Sequence, residues 1–230
     1  MTEFGLNIEQ TIFWTAIYFF AVLGFATTLN LKLYRPMLKK RAPMLDLLTA
    51  CALNAAFFVA IRLVGYKLGV LEGISLLGVA AASLLALALY LLLDKCIDPL
   101  LDGLLPRSRA AYEQKLFQLA DAPRISFVRV CILAPICEEL LMRGFILAGL
   151  ESAYGALPAL LISAAIFALL HFNMLQTLSA LICGLALGVL YLKTRSVLCC
   201  ILAHGVYNAI SYYKTILPEL KAEKDLWNQL

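Results

Sequence analysis

Charge is scarce in this chain. Asp, Glu, Lys and Arg make up 15% of its 230 residues, 63% are hydrophobic, and the mean hydropathy is +0.87. Soluble domains carry about 25% charged residues. A water-soluble globular protein is therefore excluded, and several membrane-spanning helices are expected. The formal net charge of +4 is small and dispersed. It excludes a nucleic-acid surface and bears on membrane orientation instead. Histidine is nearly absent, with only His171 and His204. No H-E-x-x-H occurs, so the strong zinc-hydrolase signature is missing.

Other absences narrow the reading further. No Lys or Arg precedes the first apolar run, whereas Glu3 and Glu9 do. A cleavable signal peptide is not expected, and that run reads as a retained span. The seven cysteines, Cys51, Cys96, Cys131, Cys137, Cys183, Cys199 and Cys200, have no disulfide spacing and read as small buried hydrophobes. No internal repeat is evident, which argues against an alternating-access transporter. One membrane domain, 1–230, accounts for the chain.

What remains is a series of apolar runs: 11–31, 44–64, 74–93, 125–150, 156–172, 175–192 and 197–213. The expected fold is an all-α polytopic membrane protein, with about seven transmembrane helices around a polar intramembrane site. Three amino-terminal spans and their connectors occupy 11–124, a catalytic core 125–213, and a polar tail 214–230. The connector holding Lys32, Arg35, Lys39, Lys40 and Arg41 has no acid and is expected on the cytoplasmic side. The polar interval 94–124 reads as a second such connector, with a short interfacial helix over 110–120. Trp14 and Tyr18 suit an interface end. Gly184 and Gly188, four apart, form a close-packing face.

The chemistry concentrates in I-L-A-P-I-C-E-E-L-L-M-R-G, residues 132–144. On a helix Glu139 and Arg143 share a face and can pair. Glu138 points about 100° away and stays available. An ionisable residue within hydrocarbon is by default functional. Pro135 is expected to loosen the helix beside it and open backbone groups toward a cavity. Phe167 and His171 share one helical face, and His204 and Asn208 another.

Two mechanisms fit these side chains. Glu138 and His171 could polarise a water that attacks an amide carbonyl, with His204 and Asn208 donating to the oxyanion. Alternatively, Glu138, His171 and His204 could hold a zinc ion that activates the water. Asn208 is a poor zinc ligand but a good oxyanion donor, so the mechanism without a cofactor is preferred and zinc is the alternative.

The three motifs together are similar to those of the CPBP (CAAX-protease and bacteriocin-processing, or Abi) family of intramembrane endopeptidases, which includes the CAAX prenyl endopeptidases. E-E-x-x-x-R corresponds to Glu138, Glu139 and Arg143; F-x-x-x-H to Phe167 and His171; H-x-x-x-N to His204 and Asn208. The resemblance spans 125–213. It implies a glutamate-type peptidase in which Glu138 and His171 activate water, His204 and Asn208 form the oxyanion hole, and Glu139, Arg143 and Phe167 support them. The implied partners are a peptide or membrane-anchored protein substrate and the lipid bilayer, in a bacterial inner (plasma) membrane. The competing expectation is a membrane peptide-binding or bacteriocin immunity protein that does no chemistry.

Overall fold

A computed structural model describes residues 5–29, 43–66, 74–120 and 122–218, and among them the chain folds into eight helical rods. The basic connector over 32–41 lies outside the described residues, as does the tail beyond 218.

The first rod, α1, joins Ile8–Ile17, Tyr18–Gly24 and Phe25–Leu29. It starts on a capping box, in which Asn7 accepts from the Gln10 backbone N–H and the Gln10 side chain accepts in return. α2 is Pro43–Leu63, α3 is Leu76–Leu104 and α4 is Pro106–Ala120. α5 runs without a break through Pro123–Phe127, Val128–Leu133, Ala134–Glu139, Leu140–Leu147 and Ala148–Tyr154. α6 is Ala156–Leu169, α7 is Met174–Thr194, and α8 is Val197–Ser211 continued by Tyr212–Ile216.

Four of these, Ile8–Thr28, Pro43–Leu63, Leu76–Leu104 and Met174–Thr194, are long and apolar enough to cross a membrane. Their outer faces carry side chains such as Leu63 and Leu76, 82% and 88% exposed. Only lipid makes such a surface inexpensive, and the protein is integral to a membrane. The expected seven spans are matched in number only to this extent. α6 is apolar but has 14 residues, a rise of about 21 Å against a hydrocarbon layer of about 30 Å.

Two expectations change. The run expected to end at 93 continues as helix to Leu104. Asp94 and Asp98 do not end it, because Ser211 and Ser179 donate hydrogen bonds to them inside the protein. Trp14 and Tyr18, expected at an interface end, are buried inside the protein. Trp14 packs edge-on against Phe57, Tyr66 and Phe145, and Tyr18 donates to Asn54 Oδ1 at 2.9 Å.

Tight turns set the last four helices. Gly155, at φ +83°, takes the chain from α5 into α6. Phe172, at φ +50°, reverses it after α6, and Asn173 caps α7 by accepting from the Gln176 N–H. Arg195 at φ +56° and the cap Ser196 make the turn into α8. Gly184 and Gly188 do form the close α6–α7 contact. A Cβ at Gly188 would lie 2.4 Å from Leu160 Cδ1.

Candidate active site

α5 and α8 lie antiparallel and are fastened at successive levels. Tyr212 donates to Pro123 O, and Asn208 Nδ2 donates to Val130 O, each at 2.9 Å. Gly205 lets the backbones close, since a Cβ there would lie 3.0 Å from Cys131 O. His204 then meets Glu139, with Nδ1 2.8 Å from Oε1.

Pro135 explains one of these fastenings. It has no N–H to give to the carbonyls of the preceding turn, and one of those, Val130 O, accepts from Asn208 instead. The proline thus opens a backbone acceptor, as expected, and α8 takes it.

Glu139 and Arg143 are 0% and 1% exposed. Arg143 Nη1 donates to Glu139 Oε1 at 2.9 Å, while Nη2 donates to Gly184 O on α7, also at 2.9 Å. The guanidinium lies 5.0 Å from the centroid of the Phe167 ring, a cation–π distance. One ion pair thus ties α5, α6, α7 and α8 together. The partners each charge has gained offset part of the cost of burying it, while Glu139 Oε2 and Arg143 Nε are buried with no hydrogen-bond partner among the described residues.

Glu138 faces the other way, a third exposed, with Oε2 4.0 Å from His204 Nε2. His171 sits on the turn after α6, where Nδ1 is 2.9 Å from Phe167 O. A carbonyl only accepts, so the proton is on Nδ1 and Nε2 is left as an acceptor. The Phe167 ring is edge-on to both histidines, 5.0 Å from His171 and 6.0 Å from His204. Glu138, Phe167, His171, His204 and Asn208 all line one cavity of about 350 Å³. The structure therefore brings together every side chain singled out in the three motifs, with Glu139 and Arg143 in the wall behind.

This segment is also the part of the chain that compares with known proteins. Residues 121–210 match the family described as Type II CAAX prenyl endopeptidase Rce1-like. That segment is similar to the Rce1-like family. It holds all seven motif residues, and the helices before α5 lie outside the match. The chain matches no curated protein and no solved structure.

Zinc was the alternative expectation for Glu138, His171 and His204. Among the described residues, no group of three or more His, Cys, Asp or Glu side chains is arranged to hold a metal ion. His204 Nδ1 is committed to Glu139 and His171 Nδ1 to Phe167 O. Bonds of this kind at Nδ1 also accompany metal-bound histidines, so they do not decide between the two mechanisms.

Part of the cavity wall was not picked out as site from sequence. Asp98 on α3, Gln176 and Ser179 on α7, and Tyr207 and Ser211 on α8 line the same space as the Rce1-like motif residues. The available signal was Asp94 and Asp98, four apart and continuing an apolar run. In the sequence they read as the start of a connector.

Proposed function

We propose that this protein is an intramembrane endopeptidase of the glutamate type, working without a metal ion. The observation that carries the reading is the convergence of Glu138, His171, His204 and Asn208 on one cavity, in the segment that matches a peptidase family.

Glu138 and His171 Nε2 both accept hydrogen bonds and can orient one water. The water oxygen attacks the carbonyl carbon of the scissile amide while Glu138 takes its proton. The negative charge that develops on the carbonyl oxygen needs donors. Asn208 uses one N–H on Val130 O and has a second to offer. His204 donates to Glu139 from Nδ1, so it donates from Nε2 only as the imidazolium, with Glu139 and Glu138 on either side to balance the charge. Collapse of the intermediate breaks the C–N bond. Glu138 returns the proton to the departing amine, leaving a carboxylate and an amine as products.

In this reading α5, α6 and α8 complete seven crossings, and their lower apolar length reflects the site they hold. The cavity supplies water within the membrane. The test is hydrolysis of peptides by the detergent-purified chain, beside Glu138→Gln and His171→Ala. Loss of cleavage in well-folded variants supports it. An unchanged rate in Glu138→Gln overturns Glu138 as base, and protection against a peptide that survives both substitutions would favour the non-catalytic binding protein.

A further inference from the structure

The proposed mechanism leaves one ionisable group on the cavity wall without a task. Asp98 lies on α3, half-buried, and Ser179 of α7 donates to its Oδ1 at 2.5 Å. Among the described residues no cation lies within ion-pair distance of it, and Arg109 attracts it only from further off. The nearby Arg109 is committed to Asp102 at 3.2 Å and Glu113 at 2.7 Å. A carboxylate partly withdrawn from water into a membrane-embedded wall is costly unless a partner or a function keeps it there. The serine holds one oxygen in place and neutralises nothing.

We infer that Asp98 is a specificity-determining residue, which receives a positively charged side chain, lysine or arginine, of the peptide substrate. The position fits. Asp98 and Ser179 line the same cavity as Glu138, His171, His204 and Asn208. A cavity of about 350 Å³ is at the small end for a ligand site and holds a few residues of peptide. A basic side chain within about two residues of the scissile bond therefore reaches Asp98. The other charge on the lining outside the proposed centre is Arg129, which is exposed and keeps its hydration. It attracts an acidic group less strongly than half-buried Asp98 attracts a basic one.

The inference deepens the peptidase reading and rests on it, so two readouts are needed. The full-length protein is given a set of fluorogenic peptides, identical but for lysine, norleucine or glutamate walked through the two positions on each side of the cleaved bond. Binding of the same peptides is measured by anisotropy. The wild type is expected to prefer lysine to norleucine by about ten- to hundredfold at one position. Asp98→Asn, which keeps an oxygen for Ser179, is expected to abolish that preference, so that the lysine and norleucine peptides are bound and cleaved alike. Asp98→Lys is expected to shift it toward glutamate. Asp102→Asn makes the same charge change beside Arg109 and is expected to leave it intact. Equal binding of lysine and norleucine peptides at every position overturns the inference, as does a preference that survives Asp98→Asn. Selective binding with no hydrolysis of any peptide would instead overturn the peptidase reading and leave the Asp98 subsite standing.

Discussion

Glu139 and His204, 65 residues apart in sequence, meet with Oε1 2.8 Å from Nδ1. The same oxygen accepts from Arg143 Nη1 at 2.9 Å. The two neighbouring glutamates are therefore in different situations. Glu139 is buried and shared between two donors, while Glu138 is a third exposed in the cavity.

That difference predicts a split between substitutions. Glu138→Gln is expected to leave the thermal midpoint of the purified protein unchanged and to lower peptide hydrolysis by about a hundred- to ten-thousandfold, as for loss of a general base. Arg143→Met leaves the buried Glu139 with His204 as its one remaining donor. It is expected to cost about 3–5 kcal/mol of stability, read as a lower midpoint in thermal denaturation. Equal loss of stability in both variants would mean that the two glutamates are not functionally distinct.

The oxyanion role of Asn208 makes a narrower claim. Asn208→Ala removes one preorganised donor, so kcat is expected to fall about a hundred- to a thousandfold, with KM little changed. A rise in KM at constant kcat, measured over a full substrate range, would assign Asn208 to ground-state binding instead.

Metal dependence is open to direct measurement. The proposed chemistry runs on side chains of this chain alone, so hydrolysis is expected to survive prolonged dialysis against a strong chelator. Near-stoichiometric zinc in the purified wild type, lost together with activity in His171→Ala, would reverse the mechanism.

The motifs and their helical spacing singled out side chains that line one cavity. Glu139 and Arg143 four apart had to share a face, and nothing else in a hydrocarbon segment could satisfy the arginine so cheaply. Gly184 and Gly188 marked the α6–α7 contact because only small residues let two helices so close. The sequence did not reveal that α3 continues through Asp94 and brings Asp98 to the cavity wall. Their partners Ser211 and Ser179 lie 117 and 81 residues away, and only tertiary packing joins them. Trp14 and Tyr18 misled for the same reason. Aromatics near a span end usually mark the interface, but here Phe57, Tyr66, Phe145 and Asn54 surround them.

The two close helix contacts separate packing from chemistry. Alanine at Gly205 would put Cβ 3.0 Å from Cys131 O, a backbone atom that moves only with α5. Gly205→Ala is expected to push α8 outward, lengthen the Asn208–Val130 bond and lower kcat. At Gly188 the obstacle is Leu160 Cδ1, the end of a side chain that can rotate away. Gly188→Ala is expected to cost stability and spare kcat. A kcat that falls equally in both would show that the α5–α8 contact has no special bearing on the site.

Pro135 offers the sharpest test of how the backbone serves the site. Its missing N–H leaves the preceding turn of α5 with a carbonyl to spare, and Asn208 Nδ2 takes Val130 O at 2.9 Å. Pro135→Ala restores the N–H, which can close a helical bond in that turn and compete with Asn208. Helix-interior proline costs about 3 kcal/mol relative to alanine, so the variant is expected to be no less stable than wild type despite the smaller side chain. Its activity is nevertheless expected to fall, because Asn208 is less firmly aimed. Pro135→Ala combined with Asn208→Ala should then cost no more activity than Asn208→Ala alone. Independent, multiplying losses in that double-mutant cycle would break the proposed link from proline to asparagine, and place the effect of Pro135 elsewhere in α5.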